Sequence, residues 1–241
     1  MDKSPGPNKV AAHVLKDVVL GPLPDMVNCS ILTSSFPAKW KAEVIPILKD
    51  GDHEVAANNR PISLPIASKV CETIVQDQII SYLTENKLLP SHQSRNKKSH
   101  STETLNILLT DNILEAMNDK KITALVLLDL SKAFDSINHE KLLEKLSTVG
   151  ASPSTVEWFR SYLSNRCQYV RINSTHSDSL PVTHGVPQGA ILSPLLFCIY
   201  LNDLPSTTTS CQIESYVDDS KLYLSFQLSD IDHPKARTRS T

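Results

Sequence analysis

No sign of charge dominates this chain. Its 241 residues carry 24 basic and 26 acidic side chains, for a formal net charge of −2. Domains that hold nucleic acid through bulk electrostatics are usually basic, so any such contact has to come from local patches. One patch is SRNKKSH, Ser94 to His100, with Arg95, Lys97 and Lys98. A cysteine framework is also missing. The five cysteines, Cys29, Cys71, Cys167, Cys198 and Cys211, are odd in number, widely spaced and never arranged as C-x-x-C. That argues against a disulfide framework or a zinc site, and leaves reduced thiols in an intracellular protein as the expectation. Long apolar runs are absent: no stretch reaches 18 residues, and the opening MDKSPGPNKVAAHVLKD lacks the apolar centre of a secretory signal. Neither a membrane span nor secretion is expected. There is no internal repeat and no long low-complexity segment.

What is present is ordinary for a globular chain, with 40% hydrophobic and 21% charged residues. The length suits one large domain or two small ones. Fifteen prolines spread along the chain predict many short elements. Residues 1–9 read as a loose arm, followed by short helices around Val10–Val19 and Asp25–Thr33. AEVIPILK reads as a strand interrupted at Pro46 and therefore an edge strand. A helix is expected from Ser68, capped by that serine, with Val70, Ile74, Ile79 and Leu83 on one face. Another is expected over Thr102–Asn118, with Leu105, Leu108, Leu109, Ile113 and Met117 as its apolar stripe. ITALVLLDL has the composition of a strand buried on both faces. Asn138 and Gly150 bracket a helix, and Ser152-Pro153 and Ser193-Pro194 begin two more. CQYVRIN reads as a strand, and CQIESYV and KLYLSFQL as a hairpin joined through DDS. Helices and strands mix without strict alternation. The expected class is α+β, with a largely antiparallel sheet packed on helices.

Two features carry chemistry. The strand 122–128 delivers Asp129 at its end, and the hairpin delivers Asp218 and Asp219. Adjacent carboxylates in an apolar hairpin repel, and a hard divalent cation relieves that repulsion. Asp-Asp in a turn also has a purely backbone explanation, because turns favour Asp.

The wider pattern is more specific. YVDD in its apolar hairpin resembles motif C of reverse transcriptases. LLDLSKAFDSINHEKLLEKL, Leu127 to Leu146, resembles motif A of the non-LTR (LINE, jockey-like) retrotransposon branch, and GVPQGAILSPLLFCIYLNDL, Gly185 to Leu204, resembles motif B. Upstream, FPAKWKAEVIPILKDGD, NNRPISLP and the HST at His100–Thr102 resemble the fingers motifs of that branch, in order.

The resemblance implies a right-hand polymerase fold. Residues 1–35 would form an arm with short helices, 36–118 a fingers-like region, 119–226 the palm and 227–241 a divergent tail, all one interleaved domain with the thumb absent. It implies an RNA template, a DNA primer and dNTPs as partners, no membrane, and nuclear or cytoplasmic residence. It implies two magnesium ions, with manganese as a substitute, held by Asp129, Asp218 and Asp219 and by the Leu130 carbonyl. Phe134 would be the ring that rejects a ribose 2′-OH; in isolation it would be a core residue. Arg60 would hold the triphosphate, its fork suiting phosphate oxygens, with Lys49 a second candidate for the task; without the motif Arg60 is a surface residue. Gln188 and Gly189 would lie against the nucleotide and template. Arg95, Lys97 and Lys98 would follow the template, or form a solvated loop. Asp135 is read as a support for the turn after motif A.

The chain also departs from the branch. QSRNKKSHST stands where Gln-Ser-Gly-Phe-Arg usually precedes the His-Ser-Thr; Ala190 stands for a serine, Ser193 for a glycine, and Tyr216-Val217 for Phe-Ala. After LYLSFQL the sequence SDIDHPKARTRST matches neither motif D nor a primer grip, and no endonuclease precedes the polymerase motifs. Two functions follow. One is template-directed DNA synthesis from RNA; the other is a non-catalytic truncated remnant with at most weak nucleic-acid binding.

Overall fold

The computed structural model describes residues 22–41, 44–48, 51–52, 59–63, 66–88, 101–130, 132–169, 171–172, 175–204, 211–216 and 219–230. In chain order the elements are α1 (Pro22–Leu32), β1 (Val44–Leu48), β2 (Asn59–Ser63), α2 (Ile66–Glu85) and α3 (Thr102–Asn118). Next come β3 (Ile122–Asp129), α4 (His139–Thr148), α5 (Pro153–Leu163), β4 (Arg166–Gln168), β5 (Arg171–Ile172), β6 (Thr175–His176) and β7 (Leu180–Val182). The last are α6 (Ser193–Tyr200), β8 (Gln212–Tyr216) and β9 (Asp219–Phe226). Among the described residues every strand pairing is antiparallel, as the α+β reading expects. No helix among the described residues is long and apolar enough to cross a membrane, and no disulfide joins any of the five cysteines. The expected helix over Val10–Val19 lies outside the described residues.

The chain divides into two compact units, Met1–Leu88 with Lys132–Tyr200, and Leu89–Ser131 with Leu201–Thr241. In the first, helices α4, α5 and α6 form the core. Leu142, Leu143 and Leu146 share one face of α4 and are buried, while Glu140, Lys141 and Glu144 are exposed. The ends of α4 are set as its sequence predicts. The Asn138 side chain accepts from the Lys141 amide at 3.0 Å. At the other end Gly150 adopts φ +89°, and the Ala151 amide reaches back to the Leu146 carbonyl at 3.0 Å. Helix α5 opens with Ser152 accepting from the Thr155 amide and Pro153 in its first turn, and it buries Trp158, Phe159, Tyr162 and Leu163. Helix α6 is apolar nearly all round, with Leu195 through Ile199 buried.

Three expectations in this unit need correction. Helix α2 starts at Ile66, not at Ser68; Ser68 lies inside it, buried, and donates its hydroxyl to Glu72 one turn on. The inward face of α2 is therefore Ser68, Cys71, Glu72, Val75 and Leu83, and Ile74 is exposed. Aliphatic periodicity alone misses this face because a glutamate and a serine on it are buried through hydrogen bonds. CQYVRIN is not one strand: Arg166–Gln168 pairs with Leu180–Val182, and Arg171–Ile172 pairs separately with Thr175–His176. In the β1–β2 pair, Pro46 stands opposite Pro61. Neither proline has an N–H, so a facing pair suits a position where the ladder makes no bond, and the strand keeps its edge character.

The second unit holds α3 and a three-stranded sheet in the order β3-β9-β8. Helix α3 has the expected limits and a reciprocal cap: Ser101 accepts from the Thr104 amide, and Thr104 accepts from the Ser101 amide. Leu105 and Leu109 are buried as expected, Ile113 is half-buried, and Leu108 and Met117 are exposed. Asn112 ties α3 to the sheet by donating to the Tyr223 hydroxyl at 2.9 Å. Strand β3 has the expected span, but it is not buried on both faces. It is the outer strand of the sheet, and Leu125, Val126, Leu127 and Leu128 are all between 39% and 68% exposed.

Candidate active site

In the sheet unit, the ladder sets Asp129, the last residue of β3, directly opposite Asp219, the first of β9. Asp219 also faces Tyr216, the last residue of β8. Directly opposed positions in an antiparallel pair place their Cβ atoms about 4.5–5.5 Å apart, and like charges there oppose pairing. Two acidic positions at the open end of a ladder are stable when a cation shares them, and hard carboxylate oxygens are the donors magnesium prefers. The residues at this ladder end thus fit a divalent ion. The hairpin differs from expectation in its turn: Asp219 and Ser220 belong to β9, so Val217 and Asp218 separate the strands. Asp218 itself lies outside the described residues. Leu130, whose carbonyl is an expected ligand, follows directly and is partly exposed. Among the described residues no group of three or more His, Cys, Asp or Glu side chains gathers as a metal site.

In the helical unit, Phe134 and Asp135 lie in a short 3-10 turn, Ala133–Asp135, entered through Lys132 at φ +56°. Three bonds tie this turn to the loop 185–188. The Gly185 amide donates to the Ile137 carbonyl at 2.7 Å, and the Val186 amide to the Phe134 carbonyl at 2.8 Å. The Gln188 side-chain amide donates to Asp135 Oδ1 at 3.0 Å. Asp135, read from the sequence as a support for its own turn, accepts from a residue of another segment. His139 Nε2 donates to the Gly185 carbonyl at 2.7 Å, which requires the proton on that nitrogen. Gly185, at φ +82°, allows this approach: a Cβ there would stand 2.8 Å from the Asp135 Cα and the Phe134 oxygen. Phe134 is half-buried, its ring centroid 5.3 Å from that of Phe197 on α6 and tilted 37° to it. Gly189 takes φ +78° in the turn where the Ala190 amide bonds the Pro187 carbonyl. Beside these groups lies a cleft of about 390 Å³ whose lining includes Lys132, Asp135, Gln168, His184 and Gln188.

The structure therefore brings Asp129 and Asp219 together in one unit, and Phe134, Gln188 and Gly189 in the other. Arg60 sits in β2 opposite Ile47, at a register position only. Lys49, Arg95, Lys97 and Lys98 lie outside the described residues. Sequence reasoning missed Glu72, which is 2% exposed and accepts the Ile191 amide at 2.7 Å and the Leu192 amide at 3.3 Å. Its signal was a lone carboxylate between Cys71 and Val75 on an otherwise apolar face. Burial, and then the charge of Glu72, push the neighbouring Cys71 thiol up to about 11. The same two causes raise the fully buried Tyr162 hydroxyl above its ordinary range. The Arg166 guanidinium lies over the Tyr162 ring, 4.5 Å from its centroid, and burial lowers its pKa.

Residues 47–236 match the family described as reverse transcriptase (RNA-dependent DNA polymerase). The chain is 32% identical to the probable RNA-directed DNA polymerase from transposon BS of Drosophila melanogaster, over 93% of this chain and 26% of that protein. It is 33% identical to the corresponding X-element protein of the same organism, over 80% and 22%. For the polymerase of the mobile element jockey the figures are 28%, 91% and 25%. The chain thus spans about a quarter of the length of these curated relatives. Among solved structures it resembles apo telomerase from Candida tropicalis, with a TM-score of 0.57 at 12% identity over 85% of this chain and 44% of that one. The same telomerase in complex with a TWJ fragment of telomeric RNA gives 0.54 at 13%, over 84% and 40%. At such identity the likeness is one of fold, a right-hand polymerase fold.

Proposed function

Since the chain belongs to the reverse transcriptase (RNA-dependent DNA polymerase) family, we propose that it forms the nucleotide-joining part of an RNA-directed DNA polymerase of a non-LTR retrotransposon. The reaction is attack of a primer 3′-OH on the α-phosphate of a dNTP, directed by an RNA template, with release of pyrophosphate. The observation that carries this reading is the register that sets Asp129 opposite Asp219 at the end of the sheet. Divalent ions are general to the family. Asp129, Asp218, Asp219 and the Leu130 carbonyl are the groups that would hold two magnesium ions, which would activate the primer hydroxyl and neutralise charge on the phosphates.

The remaining roles belong to the chain itself. Arg60 orients the triphosphate through its forked donors. Gln188, held by Asp135, and Gly189, which has no side chain, form the wall against which the nucleotide lies. Phe134, packed on Phe197 and fixed through its own carbonyl, rejects a 2′-hydroxyl by filling its space. Arg95, Lys97 and Lys98 contact template phosphates, in an intracellular setting.

The test is primer extension on an RNA template by the wild-type chain and by Asp218→Ala. Magnesium-dependent extension by the first and none by the second is the expected result; no extension by the wild type would leave the remnant reading standing. Phe134→Val carries a second expectation. Opening the space beside Phe197 should raise ribonucleotide incorporation relative to deoxyribonucleotide by about tenfold or more, the value of roughly 1.4 kcal/mol of lost discrimination. An unchanged ratio would remove the gate role and leave Phe134 a packing residue.

A further inference from the structure

The turn Pro187–Leu192 is held from two sides. On one side Gln188 donates to Asp135, directly after the Gly185 and Val186 bonds to Ile137 and Phe134. On the other it is gripped by two residues of α2, one helical turn apart. Glu72 accepts the amides of Ile191 and Leu192, and Gln76 donates its side-chain amide to the Ile191 carbonyl at 3.2 Å. The backbone N–H and C=O of Ile191 are thus both bound by side chains more than a hundred positions away in the chain. The backbone groups of a turn that leads into a helix are commonly bonded by a nearby Ser or Thr. Here Ser193 is available, but it donates its hydroxyl to the Pro187 carbonyl at 2.6 Å and closes the turn on itself. The two amides that lead into α6 are bound instead by a carboxylate that is 2% exposed and further satisfied by the Ser68 hydroxyl. Buried carboxylates are kept only where donors surround them, and bonds to a charged acceptor are the stronger kind.

We infer that Glu72 and Gln76 are positioning residues for nucleotide selection. They set how far the Gln188–Gly189 wall stands from Phe134, and so tune nucleotide affinity and sugar discrimination without touching the reacting atoms. This rests on the polymerase reading. Loosening the grip lets the turn move away from Phe134, which weakens binding of the correct nucleotide more than it slows chemistry.

Two variants of the whole chain test the inference. Gln76→Leu keeps the volume of a half-buried side chain and removes the donor; Glu72→Gln keeps an acceptor oxygen and removes the charge. Amide hydrogen exchange over residues 187–192 is measured first, with α4 and α5 as internal references for global unfolding. Exchange there should accelerate in both variants while α4 and α5 keep the wild-type rate. In primer extension, KM for the dNTP should rise about threefold to tenfold in Gln76→Leu and more in Glu72→Gln. For both, kcat should stay within about twofold, and ribonucleotide discrimination should fall. Wild-type exchange at 187–192 in both variants would overturn the grip. Faster exchange with wild-type KM and discrimination would overturn the positioning role and leave a purely structural brace of the turn. If the wild type extends no primer, the polymerase reading fails, while the exchange experiment still decides whether Glu72 and Gln76 hold the turn.

Discussion

Asp129→Asn is expected to move activity and metal-free stability in opposite directions. Activity should fall by roughly 10³-fold or more, the scale seen when a group that stabilises transition-state charge is removed. Stability without metal should stay level or rise, because the ladder sets Asp129 opposite Asp219 and like charges at directly opposed positions are destabilising. Asn removes that repulsion and keeps the size of the side chain. The same logic predicts a gain for Asp219→Asn. The double variant should be no more stable than either single one, because each already removes the same term. Magnesium then separates the forms. The wild type should be stabilised by about 2.7 kcal/mol when the ion is at a hundred times its dissociation constant, and both asparagine variants by much less. Thermal unfolding with and without magnesium reads all four forms. A metal-free unfolding temperature that drops in Asp129→Asn would mean the carboxylate is held by donors, and the repulsion argument would fall.

How much of this was legible in the sequence depends on the range of the forces involved. Helices α3, α4 and α5 were readable to within a residue or two, because their limits are set by local groups: Ser101 with Thr104, Asn138 with Gly150, Ser152 with Pro153. Strand β3 was readable in span but not in burial. An apolar composition states what a strand prefers, whereas exposure depends on what lies beside it. Among the described residues β3 has β9 along one edge and no strand along the other. The hairpin turn was displaced because Asp and Ser favour turns in general, yet Asp219 and Ser220 are drawn into β9 by pairing with Tyr216 and Ser215 and with Asp129 and Leu128.

The candidate site divides in the same way. The motifs gave its residue types, and the register then placed Asp129 against Asp219. What no local pattern carried was the support. Glu72 looked like a break in an apolar stripe, and only the chain's return at Ile191 and Leu192 explains it. The bond that Asp135 makes is equally hidden, because its partner, Gln188, stands 53 positions away. Long-range hydrogen bonds are invisible to periodicity, which reports only which face is apolar.

Gly185→Ala should be among the most damaging single methyl additions in the chain, and comparison with Gly150→Ala shows why. Both glycines have positive φ, +82° and +89°, where an L side chain costs about 1–2 kcal/mol. The obstacles differ. At Gly150 the new Cβ would meet the Tyr82 hydroxyl at 2.3 Å, the far end of a side chain that is 40% exposed and can swing outward. Tyr82→Phe removes that oxygen and leaves the nearest ring carbon at 3.6 Å, an ordinary contact. Gly150→Ala should therefore cost less when combined with Tyr82→Phe than alone, and a double-mutant cycle in urea measures the difference. At Gly185 the obstacles are backbone: the Asp135 Cα at 2.8 Å, the Phe134 oxygen at 2.8 Å and the Asp135 oxygen at 2.9 Å. No rotamer relieves them, so the loop must leave the 3-10 turn. That costs a further 1–3 kcal/mol or so, for a total of about 2–5 kcal/mol. It also strains the Gly185–Ile137 and Val186–Phe134 bonds that fix Phe134. Gly185→Ala should accordingly lower the urea midpoint more than Gly150→Ala and relax sugar discrimination in whatever folded fraction remains. A stability within about 0.5 kcal/mol of the wild type, the range of neutral surface changes, would show that the two segments can part freely and that Phe134 is not fixed by them.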